Sequence, residues 1–128
     1  MLLNNGRFRE TRLLKEETVH LMTRDHVVSR GLTFVNEDTF GSLPKHLAKI
    51  RLESAKGVGF GLGVRTQVEP GLTPIGSHGW GGAFTTDYII DPKNNMLSIF
   101  LSQIFPGFNT TEFYSMTVRN SIYKGLKS

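Results

Sequence analysis

The chain has 128 residues, 38% of them apolar, with 15 basic against 11 acidic side chains and a net charge of +4. That size and composition fit one ordinary globular domain. There is no run of about 18 apolar residues to cross a membrane and no block of like charges. The basic residues scatter from Arg7, Arg9 and Arg12 through Lys45, Lys49 and Arg51 to Arg119, Lys124 and Lys127, so neither a nucleic-acid nor a membrane partner is expected.

Met1-Leu2-Leu3 runs at once into Asn4-Asn5-Gly6-Arg7, too short and polar for a signal peptide. The compartment stays open, with the cytoplasm as the default. Lys15 to Arg24 reads as a helix, with Glu16 and Glu17 favourably placed in its first turn. Leu14, Thr18, Leu21 and Met22 would share its apolar face. Residues 29 to 56 are mixed and polar, contain Gly41 and Pro44, and read as a long connector. From Gly57 to Arg65, Gly alternates with Val, Phe, Leu and Val. Period two predicts a strand with a bare face and a greasy face. A phosphate loop is excluded: no Gly-Lys-Ser/Thr ending follows, and Leu62 stands where a dinucleotide fingerprint needs Gly.

Thr85 to Ile90 and Met96 to Gln103 are predicted strands, joined by the turn Asp91-Pro92-Lys93-Asn94-Asn95. In the second of them Leu97, Ile99 and Leu101 share one side, and Met96, Ser98, Phe100 and Ser102 the other. Pro106-Gly107 ends the sheet. A last helix, capped by Thr110 or Thr111, carries Tyr114, Val118, Ile122 and Leu126 at four-residue intervals, and that stripe should pack on the sheet.

The stretch Ser77-His78-Gly79-Trp80-Gly81-Gly82-Ala83-Phe84 holds the most chemical information. A strand edge stripped of side chains lets a ligand or another backbone come close. One large aromatic beside it gives a flat wall to bind against. A core role for Trp80 and a structural role for His78 are the plain alternatives. The four histidines are isolated and cysteine is absent, so no metal site, disulfide or Cys nucleophile is supported, and no cofactor is expected.

Gly79-Trp80-Gly81-Gly82-Ala83, then Ile90-Asp91-Pro92-Lys93, then Leu101-Ser102-Gln103 resemble, in order and spacing, the C-terminal third of the serine β-lactamase-like family. That family includes class C β-lactamases, family VIII esterases and penicillin-binding-protein-like enzymes. Leu2-Leu3-Asn4-Asn5-Gly6, Arg12-Leu13-Leu14, Thr18-Val19-His20-Leu21-Met22 and Gly59-Phe60-Gly61-Leu62-Gly63 extend the resemblance over nearly the whole chain.

The resemblance implies an α+β fold: an antiparallel β-sheet with three strands here, part of a five-stranded family sheet, flanked by helices. Residues 1–128 would be a single partial domain. Trp80-Gly81-Gly82 would fill the family's third active-site motif, with Trp80, Gly81, Gly82 and His78 around the substrate. The Ala83 N–H would be one oxyanion-hole donor. Trp80 would replace the Lys that binds a carboxylate, which favours a neutral ester over a carboxylate-bearing lactam. The family's Ser-x-x-Lys and Tyr-x-Asn motifs lie upstream of the third motif and have no counterpart here. Ser42-Leu43-Pro44-Lys45 and Ser121-Ile122-Tyr123-Lys124 match the first pattern, as this Ser and Lys content allows by chance, and a complete hydrolase using Ser42 or Ser121 is the third and last-ranked reading.

The expected function is therefore the C-terminal segment of a serine esterase or β-lactamase-related hydrolase, inactive alone. The alternative is a binding or assembly module derived from that fold. The expected partners are a second copy or a complementing N-terminal fragment, with a small ester or lactam as ligand. The uncovered strand edge at Met96 to Gln103 motivates both macromolecular partners.

Overall fold

The computed structural model describes residues 1–32, 45, 48, 49, 52, 55–82, 84–104 and 111–126, with backbone alone at 111–113. A small hairpin opens the chain, Arg7–Phe8 (β1) against Thr11–Arg12 (β2). Helix α1, Glu16–Thr23, follows. Five strands come next: Val58–Phe60 (β3), Arg65–Gln67 (β4), His78–Gly81 (β5), Asp87–Asp91 (β6) and Met96–Phe100 (β7). Helix α2, Thr111–Gly125, is the last described element. The five strands form one antiparallel sheet in the order β3-β4-β5-β6-β7. The class is α+β, as the sequence implies.

Among the described residues the sheet has five strands, where three were expected. The period-two stretch from Gly57 to Arg65 is two strands rather than one. It folds back at Gly61, whose N–H donates to the Val64 carbonyl at 2.8 Å, and Gly63 takes φ 86 inside the turn. Alternation alone could not mark that turn, because Gly61 and Gly63 serve equally well as bare strand positions. The stretch from Gly79 to Ile90 is likewise two strands, β5 and β6. Between them Thr85 N–H donates to the Gly82 carbonyl and Gly82 N–H to the Thr86 carbonyl. The β6–β7 turn is the one read from sequence. Asp91 accepts from the Asn94 backbone N–H at 3.1 Å and from its side-chain amide at 2.7 Å, and Asn95 takes φ 49.

Cross-strand partners share a face. Thr66, His78, Trp80, Tyr88, Ile90, Leu97 and Ile99 therefore lie on one face of the sheet, and Arg65, Gln67, Asp87, Ile89, Asp91, Ser98 and Phe100 on the other. Helix α2 packs on the second face through polar groups. The stripe expected to do this, Tyr114, Val118, Ile122 and Leu126, does not: Tyr114 and Leu126 are exposed and the other two half-buried. The row one position on, Ser115, Arg119 and Tyr123, faces the sheet instead, with Ser115 and Arg119 buried. The reason lies in β6, which presents two buried carboxylates, Asp87 and Asp91, that need donors.

Helix α1 corrects the expected face in the same way. Val19 is its buried residue, while Leu21 is exposed. The helix end seals the outer edge of β3. A side chain at Gly59 would strike Asp25, and one at Gly61 the Met22 carbonyl, so the bare positions of that stretch serve this approach. Within the expected connector, the described residues Lys45, Ala48, Lys49 and Leu52 are helical, with Ala48 and Leu52, four apart, half-buried.

Candidate functional site

Trp80 sits third in β5, opposite Tyr88 of β6, which in turn faces Ile99 of β7. Its indole is 44% exposed. Phe60 of β3 meets it edge-on, with ring centroids 5.2 Å apart and planes at 74°. Such a T-shaped pair fixes the ring's plane while leaving a face open. The backbone around it is bare for a reason specific to each glycine. A Cβ on Gly79 would collide with the Tyr88 carbonyl, so Gly79 lets β5 and β6 close up. A Cβ on Gly81 would meet Thr86 O at 3.4 Å and Asp87 Oδ1 at 3.6 Å, ordinary contact. Gly81 is half-buried and Gly82 exposed, so the backbone next to Trp80 reaches the surface.

His78 shares the Trp80 face but is only 3% exposed. Its Nδ1 lies 3.0 Å from the Gly76 carbonyl. A carbonyl only accepts, so Nδ1 carries the proton and Nε2 of the neutral ring is an acceptor. Among the described residues that Nε2 has no partner. Burial lowers the His78 pKa, and the Gly76 bond acts against it to a lesser degree. The ring is neutral at pH 7 and presents a bare lone pair.

Ala83, the expected oxyanion donor, lies outside the described residues, as does Ser42. Gly82 is held by Thr86, and Thr85 is fully buried with φ 66. A β-branched residue in left-handed backbone is an outlier that costs about 1–3 kcal/mol and persists only where its surroundings impose it. Here the Thr85 hydroxyl donates to the Ile104 carbonyl at 3.0 Å, and Ile104 N–H reaches the Phe84 carbonyl at 3.3 Å. The segment after β7 thus clamps the turn after Trp80. Neither Phe60 nor Thr85 was found from sequence. Phe60 carried a strand signal and a place in the resemblance, neither of which pairs it with Trp80, and a β-branched Thr rarely takes such a conformation.

Ser121 is exposed on α2, and its hydroxyl donates to the Thr117 carbonyl at 3.0 Å, one turn back in the same helix. An open cleft of about 430 Å³ lies between the end of α1 and the β4–β5 loop, against Arg24, Thr66, Val68 and Ile75. Trp80, Gly81 and Gly82 do not line it.

No protein-family model matches the sequence, and no curated protein matches it. Solved structures do. The LovD6 mutant of simvastatin synthase (LovD) from Aspergillus terreus is similar with a TM-score of 0.61 and 23% identity, covering 98% of this chain and 31% of that chain. The LovD9 mutant gives a TM-score of 0.63 and 22% identity, covering 98% and 32%. The chain thus spans about a third of the length of these neighbours, and at such identity the likeness is one of fold. The chain has the fold of about a third of this simvastatin synthase.

Proposed function

We propose that this chain supplies the sheet side of a serine hydrolase or acyltransferase active site. In this reading Trp80, Gly81 and Gly82 contact substrate, His78, expected beside them, lies buried within the sheet face, and the Ala83 N–H is one of two oxyanion donors. Residues 1–128 form a partial domain of the larger fold. The nucleophile and its base come from a segment that this sequence does not hold. The observation that carries the reading is the half-exposed Trp80, fixed edge-on by Phe60 beside a glycine-bared backbone. Trp80 itself carries no charge, and Arg119 and Arg65 of the opposite face both bind Asp87. A neutral ester therefore suits the site better than a carboxylate-bearing lactam.

Trp80 is the only tryptophan, so intrinsic fluorescence reports this site alone. Titration with phenyl butyrate should give a saturable emission change, and a carboxylate-bearing lactam a weaker one. No change up to the solubility of the ester would remove the substrate-binding role. A second reading, a non-catalytic binding or assembly module, draws support from Ser121, whose hydroxyl is occupied within its own helix.

A further inference from the structure

We infer that Asp25 is a positioning residue for the Trp80 wall: by accepting the Phe60 N–H, its carboxylate holds in place the ring against which the indole stands. This role rests on the reading of Trp80 as a substrate wall. Trp80 belongs to β5, and Phe60, its edge-on neighbour, to β3, with β4 between them in the sheet. On an outer strand, half of the backbone groups point away from the ladder and need other partners. Both groups of Phe60 find theirs in the segment after α1. His26 N–H donates to the Phe60 carbonyl at 2.8 Å, and Phe60 N–H donates to Asp25 Oδ1 at 2.9 Å. The Asp25 side chain thus stands where a neighbouring strand would put a carbonyl.

The same carboxylate closes its own turn. Val27 and Val28 N–H donate to Oδ1 at 3.0 and 3.1 Å, and Ser29 N–H donates to Oδ2. Those local bonds orient the carboxylate, and the fourth N–H, that of Phe60, comes from 35 residues away in the chain. Together they outweigh desolvation and keep the group ionised well below the carboxylate range, so it is a charged acceptor near neutrality. The glycines agree with this reading. A Cβ on Gly59 would collide with Asp25 Oδ1, and one on Gly61 with the Met22 carbonyl. Both neighbours of Phe60 are bare so that Met22 and Asp25 can come this close, and Phe60 between them carries the ring that meets Trp80.

Three variants of the full chain test this. Asp25→Ser keeps a hydroxyl able to cap the local turn but is one bond too short to serve β3. Asp25→Asn removes the charge and keeps an Oδ1 acceptor for Phe60. Phe60→Leu removes the ring alone. Trp80 is the only tryptophan, so the tryptophan band in near-ultraviolet circular dichroism and acrylamide quenching report on it directly. Asp25→Ser and Phe60→Leu should lose the band, raise quenching and weaken phenyl butyrate binding about 2- to 10-fold, the worth of one aromatic pair. Asp25→Asn should keep the parent's signals. Far-ultraviolet circular dichroism checks folding, and if Asp25→Ser does not fold, Asp25→Asn and Phe60→Leu still decide. A folded Asp25→Ser with the parent's Trp80 signals or ester affinity overturns the inference. So does an equal loss in Asp25→Asn, which would assign the effect to charge, and so does an unchanged band in Phe60→Leu. If the parent gives no response to the ester while the ligand-free signals change as stated, the functional reading falls and the hold of Asp25 on Trp80 stands.

Discussion

Arg119 of α2 and Asp87 of β6 form a buried ion pair that fixes the last helix to the sheet. Nη2 and Nε of Arg119 both donate to Asp87 Oδ2, and Arg65 of β4 donates to Oδ1 at 2.7 Å. Asp87 is 7% and Arg119 5% exposed. Removing one partner of such a pair leaves the other charge buried and uncompensated. Asp87→Ala should therefore cost about 3–5 kcal/mol. Urea unfolding followed by circular dichroism would check this. A loss under about 1 kcal/mol would mean the pair is solvated rather than structural.

One helical turn on, Tyr123 hydroxyl donates to Asp91 Oδ2 at 2.8 Å. Burial raises the Tyr123 pKa, and the hydrogen bond and charge of Asp91 raise it further, against smaller opposing effects of Ser77 and Arg119. A raised pKa means the protonated phenol is the stabilised form. That stability is full below the ordinary value of 10 and is lost as pH rises through the native value. In an ultraviolet titration one of the three tyrosines should keep its proton well above pH 10, and Tyr123→Phe should abolish that late step.

The acid side rests on two other groups. His78 is held below its ordinary 6.5 by burial, so the unfolded chain takes up a proton the native ring refuses. Its contribution is full above about pH 6.5 and declines as pH falls toward the native value. Desolvation acts to raise the Asp25 pKa, but hydrogen bonds from Ser29, Phe60 and Val27 outweigh it and hold the carboxyl well below the carboxylate range. Asp25 therefore contributes above about pH 4 and loses that contribution at still lower pH. Melting temperatures of His78→Phe and the parent, measured from pH 8 to 5, should converge or cross as pH falls. Parallel curves would show that the His78 pKa is the same in the native and unfolded chain.

The glycines at the site are not equivalent. Gly79→Ala places a Cβ against the Tyr88 carbonyl and should cost about 1–3 kcal/mol by forcing β5 from β6. Gly81→Ala meets only ordinary contacts and should change stability by no more than about 0.5 kcal/mol. Thermal melts of the two variants decide between steric need and mere absence of a side chain.

What the sequence shows of this fold depends on whether local pattern or partner decided the outcome. The turn at Asp91-Pro92-Lys93-Asn94-Asn95 is legible because Asp, Pro and Asn set it locally. The α+β class is legible from alternation and from the resemblance at Gly79-Trp80-Gly81-Gly82. The breaks at Gly61–Gly63 and Gly82–Thr86 were not, because glycine reads the same in a bare strand and in a turn. The docking face of α2 was misread, since hydrophobic spacing pointed to Tyr114 and Leu126. The actual face answers to Asp87 and Asp91, whose burial no helix sequence reveals. At the site, Trp80 stood out by composition. The support from Phe60, and the strained backbone at Thr85, arise only when distant segments meet.

The proposed role of this chain is the binding side of a serine-hydrolase-like site whose nucleophile lies outside residues 1–128. Hydrolysis of p-nitrophenyl butyrate by the purified 128-residue chain tests it most directly. The predicted rate equals that of buffer, and Ser42→Ala and Ser121→Ala leave it unchanged. Turnover above buffer that Ser42→Ala or Ser121→Ala abolishes would contradict the claim and place the nucleophile inside the chain.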